Sequence, residues 1–164
     1  MTMHWAVENL GDGRRIFVSG AITEEADFQP LIALGGEGRL SLDLAGVEEI
    51  NSCGVREWIH FVRRLSEQAP TYDLVRCSPA IVRQLNMVSN FRGSGRVGSV
   101  MLPYYCGNCG EEQFRLLELP PEGASPAIAD LVPCGACGGE AEFDDLPESY
   151  VGFLARSQNG SRKG

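Results

Sequence analysis

The stretch L40-S-L-D-L-A-G-V-E-E-I-N-S-C-G-V-R-E-W-I59 changes period half-way along. Leu40, Leu42 and Leu44 alternate with polar neighbours and lead to the apolar Val47 and Ile50, the two-residue repeat of a strand entering a core. From Val55 the spacing becomes three and four. Val55, Trp58, Ile59, Val62 and Leu65 fall on one side, with Arg56, Glu57, Arg63, Arg64 and Glu67 between them, which predicts a helix with one buried face, ended by Pro70. Strand and helix meet through Asn51-Ser52-Cys53-Gly54.

The flanking sequence alternates in the same way. HWAVEN and RRIFVSG read as two strands joined at GDG in a hairpin, and ADFQPLIAL as a short helix closed by GGEG at 35–38. Downstream, TYDLVRC is a strand and SPAIVRQLNMVSNF a helix capped by Ser78 with Pro79 in its first turn. FRGSGRVG is a turn, and SVMLPYY a last strand. The order strand, strand, helix, strand, helix, strand, helix, strand predicts an α/β domain with a mixed sheet over residues 1–103.

In that context LSLDLAGVEEINSCGVREWI resembles the central signature of STAS domains, the fold of bacterial anti-sigma-factor antagonists. The likeness covers about residues 4–103 in element order, and its specific part is Asp43 through Gly54. It implies that Ser52 is the phosphoacceptor for a partner kinase that doubles as an anti-sigma factor, and that the unmodified corner binds that partner. Gly54 matches the family's glycine, Asn51 stands where Asp is usual, and Cys53 replaces the second small hydroxyl residue. Asn51, Ser52, Cys53, Gly54, Arg56 and Glu57 then form the partner-binding set.

Physical chemistry gives the corner a reason of its own. A helix's first turn carries unpaired N–H groups and the positive end of its dipole, so a hydroxyl there can cap and a phosphate can be held. Phosphorylation adds about −1.5 to −2 charges. The plainer alternative is that Ser52 is only an N-cap worth about 1 kcal/mol and Gly54 only permits the turn. Cys53 and Cys77 read as small, partly buried packing residues.

The strongest chemical signal comes next. YYCGNCGEE and VPCGACGGE place Cys106 and Cys109, then Cys134 and Cys137, in two C-x-x-C-G units separated by 24 residues. Two such knuckles can close one tetrahedral four-thiolate site, which looks like a zinc ribbon over 104–148. With every ligand place filled by cysteine, one structural zinc ion is expected, with iron as a substitute and a dithiol redox pair as the alternative. EQFRLLEL and EAEFDDL would supply paired strands, PPEGASPAIADL a loop, and glycines 107, 110, 135 and 138 would relieve crowding at the knuckles. So few apolar residues follow residue 103 that the module should depend on its ion to fold. Residues 149–164 read as a tail that packs through Tyr150, Val151, Phe153 and Leu154 and is disordered from Ser157.

Charge narrows the partners. The 164 residues hold 14 Lys and Arg against 22 Asp and Glu, a net charge of −8. Residues 104–148 alone carry ten carboxylates and a single base, Arg115, a net −9. Such a surface repels phosphate, so nucleic acid is not expected and a protein partner is. No leader-like segment or membrane-length apolar run appears, which places the chain in the cytoplasm and fits cysteines kept as thiols or metal ligands. No catalytic constellation is present. His4 and His60 have no assignable nucleophile, and GSGRVG lacks the lysine and hydroxyl residue of a P-loop. The expected function is a non-enzymatic signalling protein that docks a partner kinase or phosphatase through the Ser52 corner. An unphosphorylated scaffold and a dithiol oxidoreductase are the alternatives, and the oligomeric state is left open.

Overall fold

The computed structural model describes residues 2–34, 38–69, 71–120 and 126–155. Strand β1 (Met3–Leu10) and β2 (Gly13–Ile22) form the expected antiparallel hairpin. Helix α1 (Gln29–Ile32) leads to β3 (Arg39–Ile50), α2 (Ser52–Gln68) to β4 (Asp73–Val75), and α3 (Pro79–Met87) to β5 (Arg96–Val97). β2, β3, β4 and β5 are mutually parallel, so the sheet order β1-β2-β3-β4-β5 is mixed, with a helix crossing between each pair of parallel neighbours.

Several elements are shorter than expected. The helix at ADFQPLIAL keeps only four residues, with Pro30 in its first turn. The helix from Ser78 ends at Met87, and the TYDLVRC strand contracts to three residues. Ser78 is the cap foreseen, its side chain accepting from the Ile81 amide. Part of the expected turn FRGSGRVG pairs with Asp73 and Leu74 as β5. The expected glycine closure at 35–37, the stop at Pro70 and the tail beyond 155 lie outside the described residues.

The core of this unit gathers on α2. Trp58 is fully buried, donates from Nε1 to the Phe91 carbonyl at 2.7 Å, and stacks on the Phe91 ring with centroids 5.2 Å apart. Phe28 and Phe61 complete the cluster. β3 departs from simple alternation because it is central. Leu42, Asp43 and Leu44 are all buried, and Asp43 accepts from Arg15 Nε at 3.2 Å, from the Ala45 amide at 3.2 Å and from Arg76 at 3.4 Å. A carboxylate removed from water needs such partners.

SVMLPYY does not add a strand to the first sheet. It forms β6 (Ser99–Cys106), which pairs with β7 (Glu112–Glu118) and β9 (Glu140–Phe143). With β8 (Leu131–Pro133), which falls at the end of the expected loop, they make an antiparallel sheet in the order β7-β6-β9-β8. β6 therefore runs through position 103, where the two units were expected to part. Its first half is also stitched to the first sheet by a parallel bridge, the Cys77 amide donating to the Ser99 carbonyl and the Met101 amide to the Cys77 carbonyl.

Beyond β9, α4 (Pro147–Tyr150) folds back. Tyr150 and Phe153 are buried, as foreseen, and Tyr150 donates its hydroxyl to the Met101 carbonyl at 2.6 Å while its ring meets Phe143 edge-on. Asn86 on α3 donates to the Tyr150 carbonyl and accepts from the Phe153 amide. Among the described residues no helix is long and apolar enough to cross a membrane.

Candidate functional site

The four cysteines converge. Cys106 ends β6, Cys109 closes the turn before β7, Cys134 follows β8, and Cys137 precedes β9. Their sulfurs all lie within 4.8 Å of one another, with Cys106–Cys137 and Cys109–Cys134 at 3.6 Å. A Zn–S bond of about 2.3 Å sets the edges of a tetrahedron at about 3.8 Å, so the set fits a four-thiolate ion.

The two knuckles are built alike. The fifth residue of each, Gly110 or Gly138, returns its amide to the carbonyl of the first cysteine, at 2.8 and 3.0 Å. Both glycines hold positive φ, 80° and 77°, which a side chain would strain. Gly107 has open space where a Cβ would sit, and Gly135 would meet only the Gln113 side chain at 3.6 Å, so the crowding expected there is absent.

Hydrogen bonds to sulfur complete the site. The amides of Cys109, Ala136 and Gly139 donate to Cys106, Cys134 and Cys137. Two side chains, neither singled out by sequence, add to them. Gln113 Nε2 donates to Cys134 Sγ at 3.0 Å while its Oε1 accepts from the Gly135 amide at 2.8 Å, and Asn108 donates to Cys137 Sγ at 3.4 Å. Backbone donation from Cys137 and Ala136 and the neighbouring sulfurs hold the Cys134 thiol down at about 6, against a smaller opposing effect of desolvation. Asn108 and the Gly139 amide lower Cys137. At Cys109 the pull of the Glu111 backbone is outweighed by desolvation and the sulfurs of Cys134, Cys106 and Cys137, which leave it raised to about 12. An ion bound by the four sulfurs would displace the thiol protons they carry.

At the other candidate site, the expected cap is replaced by its neighbour. Asn51 is the N-cap of α2, its Oδ1 accepting from the Gly54 amide at 2.7 Å, and Ser52 is the first helical residue. Asn51 Nδ2 donates to Glu24 Oε2 at 3.1 Å. Glu24's own backbone and this amide hold its carboxyl below the usual range. Ser52 is exposed, as are Asn51 and Arg56, and Glu57 is half-buried. Cys53, expected to be partly buried, is exposed, because the second position of α2 faces away from the sheet. Cys77 is fully buried, and burial followed by the Asp43 charge pushes its thiol far up.

Gly54 does more than permit a turn. It is buried, and a Cβ there would come within 1.9 Å of the Ile22 carbonyl oxygen, so α2 can approach β2 only at a glycine. Ile22 also accepts from the Asn51 amide at 3.2 Å, which fixes the corner on the end of β2. His4 and His60 are exposed, one on β1 and the other on α2. No protein-family model matches the chain, and no curated protein or solved structure matches it either.

Proposed function

We propose that the chain is a regulatory docking protein resembling the anti-sigma-factor antagonists, one that binds a partner kinase or phosphatase through the corner Asn51–Glu57 and is switched by phosphorylation of Ser52. The observation that carries this is the exposed Ser52 hydroxyl at the first position of the 17-residue helix α2, one turn before the exposed Arg56. A phosphate there would meet the free N–H groups of the helix start and a guanidinium within reach of the same turn. The four cysteines in this proposal hold one structural zinc ion, and the module they close is an additional protein-contact surface.

The test is phosphate mapping after incubation with kinases captured from the native cell on wild-type and Ser52→Asp protein. Incorporation at Ser52, lost in Ser52→Ala, is expected; incorporation at another residue overturns the proposal. Metal analysis should return about one zinc per chain, and free thiols at all four cysteines would favour the dithiol alternative.

A second function is favoured by a specific contact. Asn51 already satisfies the cap and ties down Glu24, whose carboxylate would oppose a phosphate on Ser52. On that account the corner is a finished docking surface, and Ser52→Ala leaves partner binding unchanged.

A further inference from the structure

The second sheet buries one face and leaves the other open. Tyr104, Ala141 and Phe143 point to the buried side, where Phe143 meets both Tyr104 and Tyr150 edge-on. On the opposite side strand register lines up a different set. Phe114 lies across from Pro103, Leu116 across from Met101, and Leu131 across from Glu142. Tyr105 sits between Glu112 and Glu142. Directly opposed residues on antiparallel strands share a face, so these side chains form one surface.

That surface is apolar beyond what folding needs. Tyr105, Phe114, Leu116 and Leu131 are 46, 51, 50 and 51% exposed, four of the eight large apolar side chains left exposed among the described residues. It continues into a cleft of about 860 Å³, walled by Met101, Pro103 and Phe114 on one side and by Val47, Val82 and Met87 from β3 and α3 on the other. Contiguous exposed apolar surface rimmed by polar groups marks an interaction site.

Charge decides what it takes. Glu112, Glu118, Glu140 and Glu142 alternate onto this same face and are exposed, and Glu48, Asp144 and Asp145 also line the cleft. Arg115, the one base of the module, alternates to the opposite face and donates to the Pro133 carbonyl. Two arginines enter the cleft from the first unit, Arg83 and Arg76, and Arg76 is paired with Asp43. A nucleic acid or an anionic bilayer would be repelled, and a second copy of this chain would set glutamate against glutamate. What remains is a protein segment with basic side chains among apolar ones.

We infer that this face and its cleft dock a cationic segment of a protein partner, anchored by apolar or aromatic side chains between Phe114, Leu116 and Met87 and held in register by Glu112 and Glu142. The inference rests on the proposal above only in treating the chain as a protein-docking module; it needs neither Ser52 nor its modification.

The experiment uses the full, zinc-loaded chain and three labelled synthetic peptides of equal length: lysine with leucine and phenylalanine, glutamate with the same apolar residues, and lysine with serine. Fluorescence anisotropy should show the first binding about tenfold or more tighter than the other two, more weakly as salt rises. Phe114→Ser with Leu116→Ser, and separately Glu112→Gln with Glu142→Gln, should each weaken it about tenfold, while Glu25→Gln with Glu67→Gln, on remote exposed surface, should not. Amide chemical shifts of the unaltered protein should move along β6, β7 and β9. Equal binding of all three peptides, unchanged affinity in the face variants, shifts confined to other elements, or preferential binding of phosphatidylserine vesicles overturns the inference. Ser52→Ala should leave peptide binding intact, so failure here and failure of the phosphoswitch register in different variants.

Discussion

Asn51 makes two contacts at the start of α2, and together they account for an amide at that position. The amide caps α2 through Oδ1 and donates to Glu24 through Nδ2, whereas a carboxylate could cap but would face Glu24 with like charge. Asn51→Ala should therefore lower stability by about 1 kcal/mol in urea unfolding. Asn51→Asp should keep the cap but move the Glu24 carboxyl up toward its ordinary range, which carbon-detected NMR titration would read. The cap itself was within reach of the sequence, since Asn and Ser both favour that position, but the choice between them turned on Glu24, 27 residues upstream. Cys53 and Cys77 separate for a similar reason. With the four clustered sulfurs holding an ion, iodoacetamide should alkylate the exposed Cys53 in the native chain and reach Cys77 only after denaturation, with peptide mass mapping as the check.

At the scale of elements, α2 shows how far periodicity carries. The buried residues Trp58, Phe61, Val62 and Leu65 lie on the face its spacing predicted, with Phe61 added and Val55 and Ile59 only half-buried. The steric demand on Gly54 was not legible, because it arises from the Ile22 carbonyl on another strand. Gly54→Ala should push α2 off β2 and cost roughly 1–3 kcal/mol, despite alanine's better helix propensity. A gain in stability on urea unfolding would refute the close approach. On β3 the alternation of leucines with polar neighbours gave no sign that Asp43 is buried, and the arrival of Arg15 and Arg76 explains it. From β7, Gln113 reaches across to the second knuckle and grasps both Cys134 and the Gly135 amide. Gln113→Ala should weaken zinc retention about 10- to 100-fold in competition with a chromophoric chelator. The knuckles themselves were plain from C-x-x-C-G spacing, and their backbone donors are equally local; the side-chain donors Gln113 and Asn108 reach sulfurs 21 and 29 residues away and depend on how the strands pair.

For the whole molecule, the question is whether the ion supports only the second sheet or the entire chain. The buried side chains form one cluster that runs from Trp58, Phe61 and Leu74 in the first unit to Val100, Leu102 and Cys106 on β6. The second unit has one buried aromatic group, Tyr104, Phe143 and Tyr150, and an open apolar face. β6 belongs to both, because its first half bonds to Cys77 and its second half ends in Cys106. Spacing could show that two units exist but not that one strand serves each, since the Cys77 bridge is a tertiary contact. Removing the ion with a chelator should therefore abolish hydrogen-exchange protection in β8, β9 and the Cys106 end of β6, while β2, β3 and the Met101 amide, held by the Cys77 carbonyl, stay protected. Loss of protection throughout would make the chain a single cooperative unit whose stability resides in the four thiolates. Retention everywhere would mean that Tyr150 and Asn86 clamp the second sheet without the ion, since Tyr150 bonds Met101 and Asn86 holds the Tyr150 carbonyl.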